Sequence, residues 1–296
     1  MKNSENNDVL NKTVINCFPG HMAKTRREIG EKLKLIDIVY EVVDARIPNS
    51  SRIIDIDDLI KDKPKVIIMT KKDLCDIEKT NKWISYYESL GYKVFLVDLI
   101  NDKSLGKLFD LTDDVLSGLN EKREEKGLLQ RKYRALIMGV PNVGKSTLIN
   151  KITGKKATSV GDIPGVTKNI SWIRINDKLE LMDTPGILWP KLEDQTIAYN
   201  LATFSSIKDE ILPIDEVACY ILKYMYENYP DRLIDRYGLD YLDEDDYTDA
   251  YELIGRKRGC IIRGNEVDYN KVSNLIIRDL REGYLGKVTF DERVWE

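Results

Sequence analysis

Gly139-Val140-Pro141-Asn142-Val143-Gly144-Lys145-Ser146 fits the pattern G-x-x-x-x-G-K-[ST]. It is entered from an apolar run, Arg134 to Met138, and left by a helical pattern that starts near Gly144. A loop of this kind is built where a buried strand turns into a helix, so it fixes a strand–loop–helix unit before anything else is known. The chemistry explains the spacing. Glycines let backbone N–H groups curl around phosphates, Lys145 offsets their charge, and the Ser146 hydroxyl can ligate magnesium at a helix start whose dipole favours anions. Val143, Gly144 and Thr147 complete the expected phosphate-binding set.

Two further short motifs flank this loop in an unusual order. Thr70-Lys71-Lys72-Asp73 lies upstream of it and Asp183-Thr184-Pro185-Gly186 downstream. Guanine presents two adjacent N–H donors that one carboxylate can accept together, and adenine has no matching pair, so Asp73 favours GTP over ATP. Thr70 stands where this base reader more often has asparagine, and Lys71 is expected to lay its stem along the base and pack against the phosphate loop. The small backbone motif that usually completes the base pocket should follow a strand ending near Asp98, and Asp98-Leu99-Ile100 matches it poorly. Asp183 should hold the magnesium shell, and the Gly186 N–H should follow the γ-phosphate. Thr167, between loop and hairpin, is placed to offer a hydroxyl to magnesium. In the ordinary arrangement the phosphate loop leads and the base reader follows. The order here reads as a guanine-nucleotide domain cut and rejoined elsewhere on its surface.

The rest of the chain fits an α/β fold. Residues 37–44, 65–70 and 92–98 are apolar, β-branched-rich runs, and helical spacing over 54–61 and 77–90 alternates with them. Segments 134–138, 170–175 and 179–182 complete six strands, the last two joined as a hairpin through Asn176-Asp177. Beyond Pro190 helical periodicity takes over, clearest at 214–226 and 269–280. The expected architecture is a GTPase domain over residues 13–190 with a six-stranded, mostly parallel sheet, and a smaller all-α domain over 191–296. In the last helix Val272, Leu275, Ile276 and Leu280 form an apolar stripe, Lys271, Asn274, Arg278 and Arg281 line a basic one, and Gly283 supplies a stop.

Composition excludes several classes. A net charge of −4 argues against indiscriminate nucleic-acid binding, although basic residues gather at Arg131, Lys132 and Arg134 and again at Arg256, Lys257, Arg258 and Arg263. Cys17, Cys75, Cys219 and Cys260 show no C-x-x-C spacing, so neither zinc nor a disulfide framework is expected. No apolar run is long enough to cross a bilayer and the polar opening lacks a signal-peptide core, so a cytosolic protein without membrane partner is expected.

Catalysis poses a puzzle. In Ras-like GTPases a glutamine just past the second switch motif orients the attacking water. Ile187 takes that place here and cannot. His21, the chain's one histidine, is structural by default on composition.

F-P-G-H-M-A-K at Phe18 to Lys24, D-A-R-I-P at Asp44 to Pro48, T-K-K-D, G-V-P-N-V-G-K-S-T, P-G-V-T, D-T-P-G-I-L-W-P and R-G-C-I-I-R-G-N-E-V-D-Y together resemble the bacterial ribosome biogenesis GTPase A family of circularly permuted GTPases, from about Cys17 almost to the end. The resemblance implies GTP hydrolysis coupled to maturation of the large ribosomal subunit, contact with ribosomal RNA through the helical tail, and stimulation by the subunit. It implies that His21 helps position water, and that Asn142 helps hold a potassium ion where an arginine finger would otherwise sit. GTP or GDP, Mg2+ and K+ are the expected ligands, with ribosomal RNA and proteins as partners of a monomer that has no DNA partner. Two rivals are a nucleotide-gated RNA-binding placeholder with little hydrolysis and a GTPase switch for a protein partner.

Overall fold

The computed structural model describes residues 27–53, 55–61, 63–103, 105–129, 131–154, 171–184, 194–207 and 213–292. Six strands, β1 (Ile38–Asp44), β2 (Lys65–Thr70), β3 (Lys93–Leu96), β4 (Tyr133–Met138), β5 (Ser171–Arg174) and β6 (Leu179–Asp183), form one sheet in the order β3-β2-β1-β4-β6-β5. All neighbours are parallel except β5 and β6. β1 and β2 are buried along their whole length, which is why they read as mostly apolar runs, the buried Glu41 of β1 being paired with Lys65 and Arg52, whereas the edge strand β3 is partly exposed.

Chain order and sheet order explain where a ligand can go. From β1 the chain steps outward through β2 and β3, returns to β4 on the other side of β1, crosses to the outer strand β5 and turns back by a hairpin into β6 beside β4. The direction reverses between β1 and β4, and open α/β sheets place their ligand crevice outside the carboxyl ends of the strands at such a point. The register brings the critical ends level, pairing Asp44 with Thr70 and Ile137 with Asp183. The expected six-stranded, mostly parallel sheet is therefore found, with motif-bearing strand ends along one edge.

Helices cover the faces: α1 (Ile56–Ile60), α2 (Ile77–Ser89), α3 (Gly106–Val115), α4 (Leu119–Glu124) and α5 (Lys145–Thr153). The β5–β6 hairpin turns at Asn176, whose side-chain oxygen accepts from the Lys178 and Leu179 N–H groups, both at 2.8 Å. α3 was not foreseen from the sequence. It is held by burial of Leu108 and Thr112, the latter hydroxyl 2.6 Å from the Tyr40 hydroxyl in the sheet.

The tail is helical, as expected: α6 (Gln195–Thr203), α7 (Ile214–Asn228), α8 (Pro230–Tyr237), α9 (Thr248–Arg258) and α10 (Tyr269–Arg281). α6 and α10 start at aspartate caps, Asp194 accepting from Thr196 N–H at 2.8 Å and Asp268 from Lys271 N–H at 3.1 Å. Val272, Ile276 and Leu280 are buried, and α10 packs along α7. One member of the expected basic stripe departs from it. Lys271, Asn274 and Arg278 are exposed, but Arg281 turns inward, its guanidinium on backbone carbonyls of Ala202 and Thr203.

After α10 the chain folds back across the nucleotide side of the sheet. Val288 N–H donates to Leu74 O at 3.1 Å, Phe290 N–H to Arg46 O at 2.7 Å, and the buried Asp291 carboxylate accepts from Ser50 N–H at 2.8 Å and Asn200 Nδ2 at 3.1 Å. One hydrophobic cluster consequently runs from Tyr40 and Ile137 in the sheet to Ile276 and Phe290 in the tail. Among the described residues Cys75, Cys219 and Cys260 are free thiols.

At the end of β4, a Cβ on Gly139 would lie 2.4 Å from the Val42 carbonyl oxygen of β1, a backbone atom that cannot step aside. Gly139→Ala is expected to lower stability by about 1–3 kcal/mol, seen as a fall in the urea midpoint at unchanged slope.

Candidate nucleotide site

The site is assembled at the β1/β4 reversal. β4 delivers the chain into the phosphate loop, where Asn142 at φ +60° and Gly144 at φ +94° take left-handed conformations that turn it sharply into α5. Lys145, at the first position of that helix, is buried, and its ammonium donates to the carbonyls of Gly139 at 2.9 Å and Val140 at 2.8 Å, across the mouth of the loop. Burial lowers its pKa to about 8, against the pull of Asp183 in the opposite direction.

Asp183, at the end of β6, is buried with neither carboxylate oxygen hydrogen-bonded. Burial raises its pKa to about 6, with Lys145 and the Thr184 N–H acting against that rise. Orphaned oxygens of this kind fit a hydrated divalent cation, which satisfies a carboxylate through its water shell. Ser146, on the first turn of α5, could be the second protein ligand.

The base-reading segment is joined directly to this loop. The Thr70 hydroxyl lies 2.6 Å from Val143 O and 3.2 Å from Val43 O, so a residue shorter than asparagine still ties β2 to the phosphate loop and to β1. Lys71 adopts φ +58°, and its ammonium sits 2.8 Å from Asp44 Oδ2 at the end of β1. Arg46 grips the same carboxylate in bidentate fashion, Nε to Oδ1 at 3.0 Å and Nη2 to Oδ2 at 2.8 Å. Burial pushes the Asp44 carboxyl up, but the Arg46 and Lys71 charges outweigh it and hold the group well below the usual carboxylate range. Asp73 is half-buried, and its pKa is raised by burial and, secondarily, by Asp98. Two N–H donors from a purine edge would favour its ionised form.

The poorly matching segment after β3 is ordered by its own side chains. Asp98 accepts from the Ile100 and Asn101 N–H groups, both at 2.8 Å, and from Asn101 Nδ2 at 2.7 Å. Burial raises its pKa, but these hydrogen bonds more than reverse the effect. Lys151 of α5 donates to Leu99 O at 2.7 Å, and Leu99 Cδ1 lies 3.4 Å from where a Cβ on Gly144 would be. The Leu99 side chain thus lies beside the phosphate loop while its carbonyl is clipped to α5, without the expected motif.

The structure therefore brings together Thr70, Lys71, Asp73, Asn142, Val143, Gly144, Lys145, Ser146, Thr147 and Asp183 at the carboxyl ends of β2, β4 and β6. His21, Thr167, Gly186 and Ile187 lie outside the described residues. Sequence reasoning missed the inner roles of Asp44 and Arg46. The available signal was an acid ending a largely apolar strand, two residues before an arginine. It also missed that Asn142 Nδ2 donates to Ser205 O in the tail at 2.7 Å.

Fold and site define a P-loop GTPase in which the order of the motifs has been circularly permuted. A family profile described as "50S ribosome-binding GTPase" matches residues 134–244. The chain is 45% identical over 279 residues to ribosome biogenesis GTPase A of Priestia megaterium, covering 94% of this chain and 96% of the relative. Among solved structures it is similar to GDP-bound TM YlqF, with TM-score 0.66, 25% identity, and coverage of 91% of this chain and 100% of that one. GNP-bound YlqF from T. maritima gives a TM-score of 0.62 at 26% identity, covering 91% of this chain and 98% of that one. The chain belongs to the ribosome biogenesis GTPase A family, and it is an enzyme that binds guanine nucleotide and hydrolyses GTP.

The Asp183 environment yields a pH signature. Its folded pKa, about 6, lies above the ordinary carboxylate value, so keeping it ionised destabilises the nucleotide-free fold at neutral pH, and protonation relieves the penalty as pH falls through about 6. Asp183→Asn is expected to melt higher than the wild type at pH 7, to lose that advantage by pH 4, and to bind Mg2+-GTP at least about tenfold more weakly. Thermal melts across pH, with calorimetric titration of nucleotide, check all three.

Proposed function

We propose that this GTPase acts in late assembly of the large ribosomal subunit, binding the precursor particle in its GTP form and leaving after hydrolysis. The observation that carries this reading is the placement of charge. On an acidic protein the exposed cations Arg256, Lys257, Arg258, Arg263, Lys271 and Arg278 lie on α9, α10 and the turn between them, Arg256, Lys271 and Arg278 each beside a carboxylate and the others bringing the excess positive charge, in a tail whose last stretch of chain lies against the nucleotide site. A confined basic patch suits the phosphate backbone of a folded RNA better than indiscriminate binding. The family profile and the name of the Priestia relative point the same way. A division into a GTPase domain over 13–190 and an RNA-binding domain over 191–296 belongs to this proposal. So does action in the cytosol; among the described residues no helix is long and apolar enough to cross a membrane.

At the site, Lys145 and the backbone of the phosphate loop would bind the phosphates, while Asp73 selects guanine and Thr70 and Lys71 brace it. Ser146, Thr167 and Asp183 would hold Mg2+, which supplies Lewis-acid neutralisation of the phosphate charge. Gly186 would donate to the γ-phosphate, Asn142 would help hold K+, and His21 would orient the attacking water that Ile187 cannot.

Gradient sedimentation with immature large subunits tests the reading. The GTP-analogue form is expected to comigrate with the particles, with affinity about tenfold or more above that of the GDP form. Equal sedimentation of both forms, or of neither, overturns it, and phosphate release measured with particles separates an active hydrolase from a placeholder. His21→Ala is expected to leave GTP affinity within about twofold and to cut particle-stimulated turnover by about a hundredfold. Unchanged turnover would remove His21 from the mechanism.

A further inference from the structure

The carboxyl end of α6 is contacted from two directions. Its final carbonyls, Ala202 and Thr203, receive the guanidinium of Arg281, Nη2 and Nε each at 2.9 Å. Two residues on, Ser205 takes φ +64°, and its carbonyl receives Asn142 Nδ2 from the phosphate loop at 2.7 Å. Helix ends leave carbonyls without intrahelical partners and carry the negative pole of the dipole, so a cation and an amide donor there are stabilising. Here one donor belongs to the phosphate loop and the other to the last residue of α10.

Arg281 is held a second time, through its backbone. Its carbonyl accepts from Arg46 Nη1 at 3.3 Å, and Arg46 is the residue that pairs with Asp44, which in turn meets Lys71 of the base-reading segment. The Arg46 guanidinium also lies 4.3 Å over the ring of Phe204, between the two carbonyl acceptors of Arg281 and Ser205. The phosphate side and the base side of the pocket thus converge on one residue. That residue ends the helix whose exposed face carries Lys271, Asn274 and Arg278.

We propose that Arg281 is the positioning residue through which nucleotide binding sets the seat of α10. Movement of Asn142 as phosphates enter the loop shifts the α6 terminus. Engagement of Lys71 by a base redistributes the charge on Asp44 and Arg46. Arg281 transmits both to the tail because its guanidinium and its carbonyl are each held by one of the two routes. The inference rests on the nucleotide-site assignment made above, and not on the identity of the ribosomal partner.

Hydrogen exchange on the full-length protein, with and without saturating GDP or a non-hydrolysable GTP analogue, tests it. In the wild type the amides of residues 272–284 are expected to change protection when nucleotide binds. In Arg281→Met that nucleotide-dependent difference is expected to vanish although the pocket, titrated on the same samples, is still filled at saturating nucleotide. An arginine with a merely structural role would raise exchange equally in both states and leave the difference intact, which overturns the proposal, as does a wild type whose tail ignores nucleotide. Should Arg281→Met not fold, Arg281→Lys, which keeps the charge but loses the fork, carries the test: a reduced difference supports the proposal and a full-sized one defeats it. A wild-type protein that took up no guanine nucleotide would instead sink the site assignment itself.

Discussion

A single hydroxyl holds the pocket together. Thr70 closes β2 and reaches Val143 O in the phosphate loop and Val43 O in β1, so the segment that reads the base and the loop that cradles the phosphates share one buried anchor. Strand pairing sets the spacing of β2, β1 and β4, and this bond fixes the loop that follows β4 against the end of β2, so that a rigid ligand bearing a base at one end and phosphates at the other can meet both. Burial gives the bond its value. An unmatched carbonyl at that depth costs about 1–3 kcal/mol, more than the net gain of an exposed hydrogen bond.

Permutation leaves this seam untouched because a sheet is specified by buried faces rather than by chain order. β1 and β2 are buried on both sides, and only the centre of a parallel sheet accepts such strands. What permutation changes is the exit. The chain leaves the sheet at β6, with Asp183, and everything after it is tail. That tail then returns to the opposite half of the pocket, packing Phe290 on Arg46 and Phe204 and setting Val288 against Leu74. The tail is therefore linked covalently to the Asp183 end of the site and by hydrogen bonds to the end that carries Asp73.

Much of this was legible in the sequence, and the limits of legibility are physical. Central strands announce themselves as apolar runs, and the hairpin announces itself at Asn176, whose side chain makes the turn on its own. The phosphate loop needs its residue types in a fixed spacing, so it is visible at once. Interactions that join distant segments leave no such pattern. The order of residues in α10 cannot say whether a terminal arginine meets water or the end of another helix, and Arg281 does the latter. Nor can the Asp98 region be recognised from a pattern, because its loop is shaped by its own aspartate and clipped by Lys151 instead of by the customary residues.

Magnitude decides whether such links can carry a signal. A switch that changes partner affinity five- to 150-fold needs about 1–3 kcal/mol of coupling. The hydrogen bonds at the α6 terminus are few, yet each is worth about 0.5–1.5 kcal/mol, or more where a charged group donates to a backbone carbonyl as Arg281 does. Losing or shifting two of them covers the required range without any large rearrangement. Much stronger links would bind the tail to one orientation regardless of nucleotide; much weaker ones would let it move independently. A contact set of this size lies between those limits, where the pocket can bias the tail and the tail, by reciprocity, can bias the pocket.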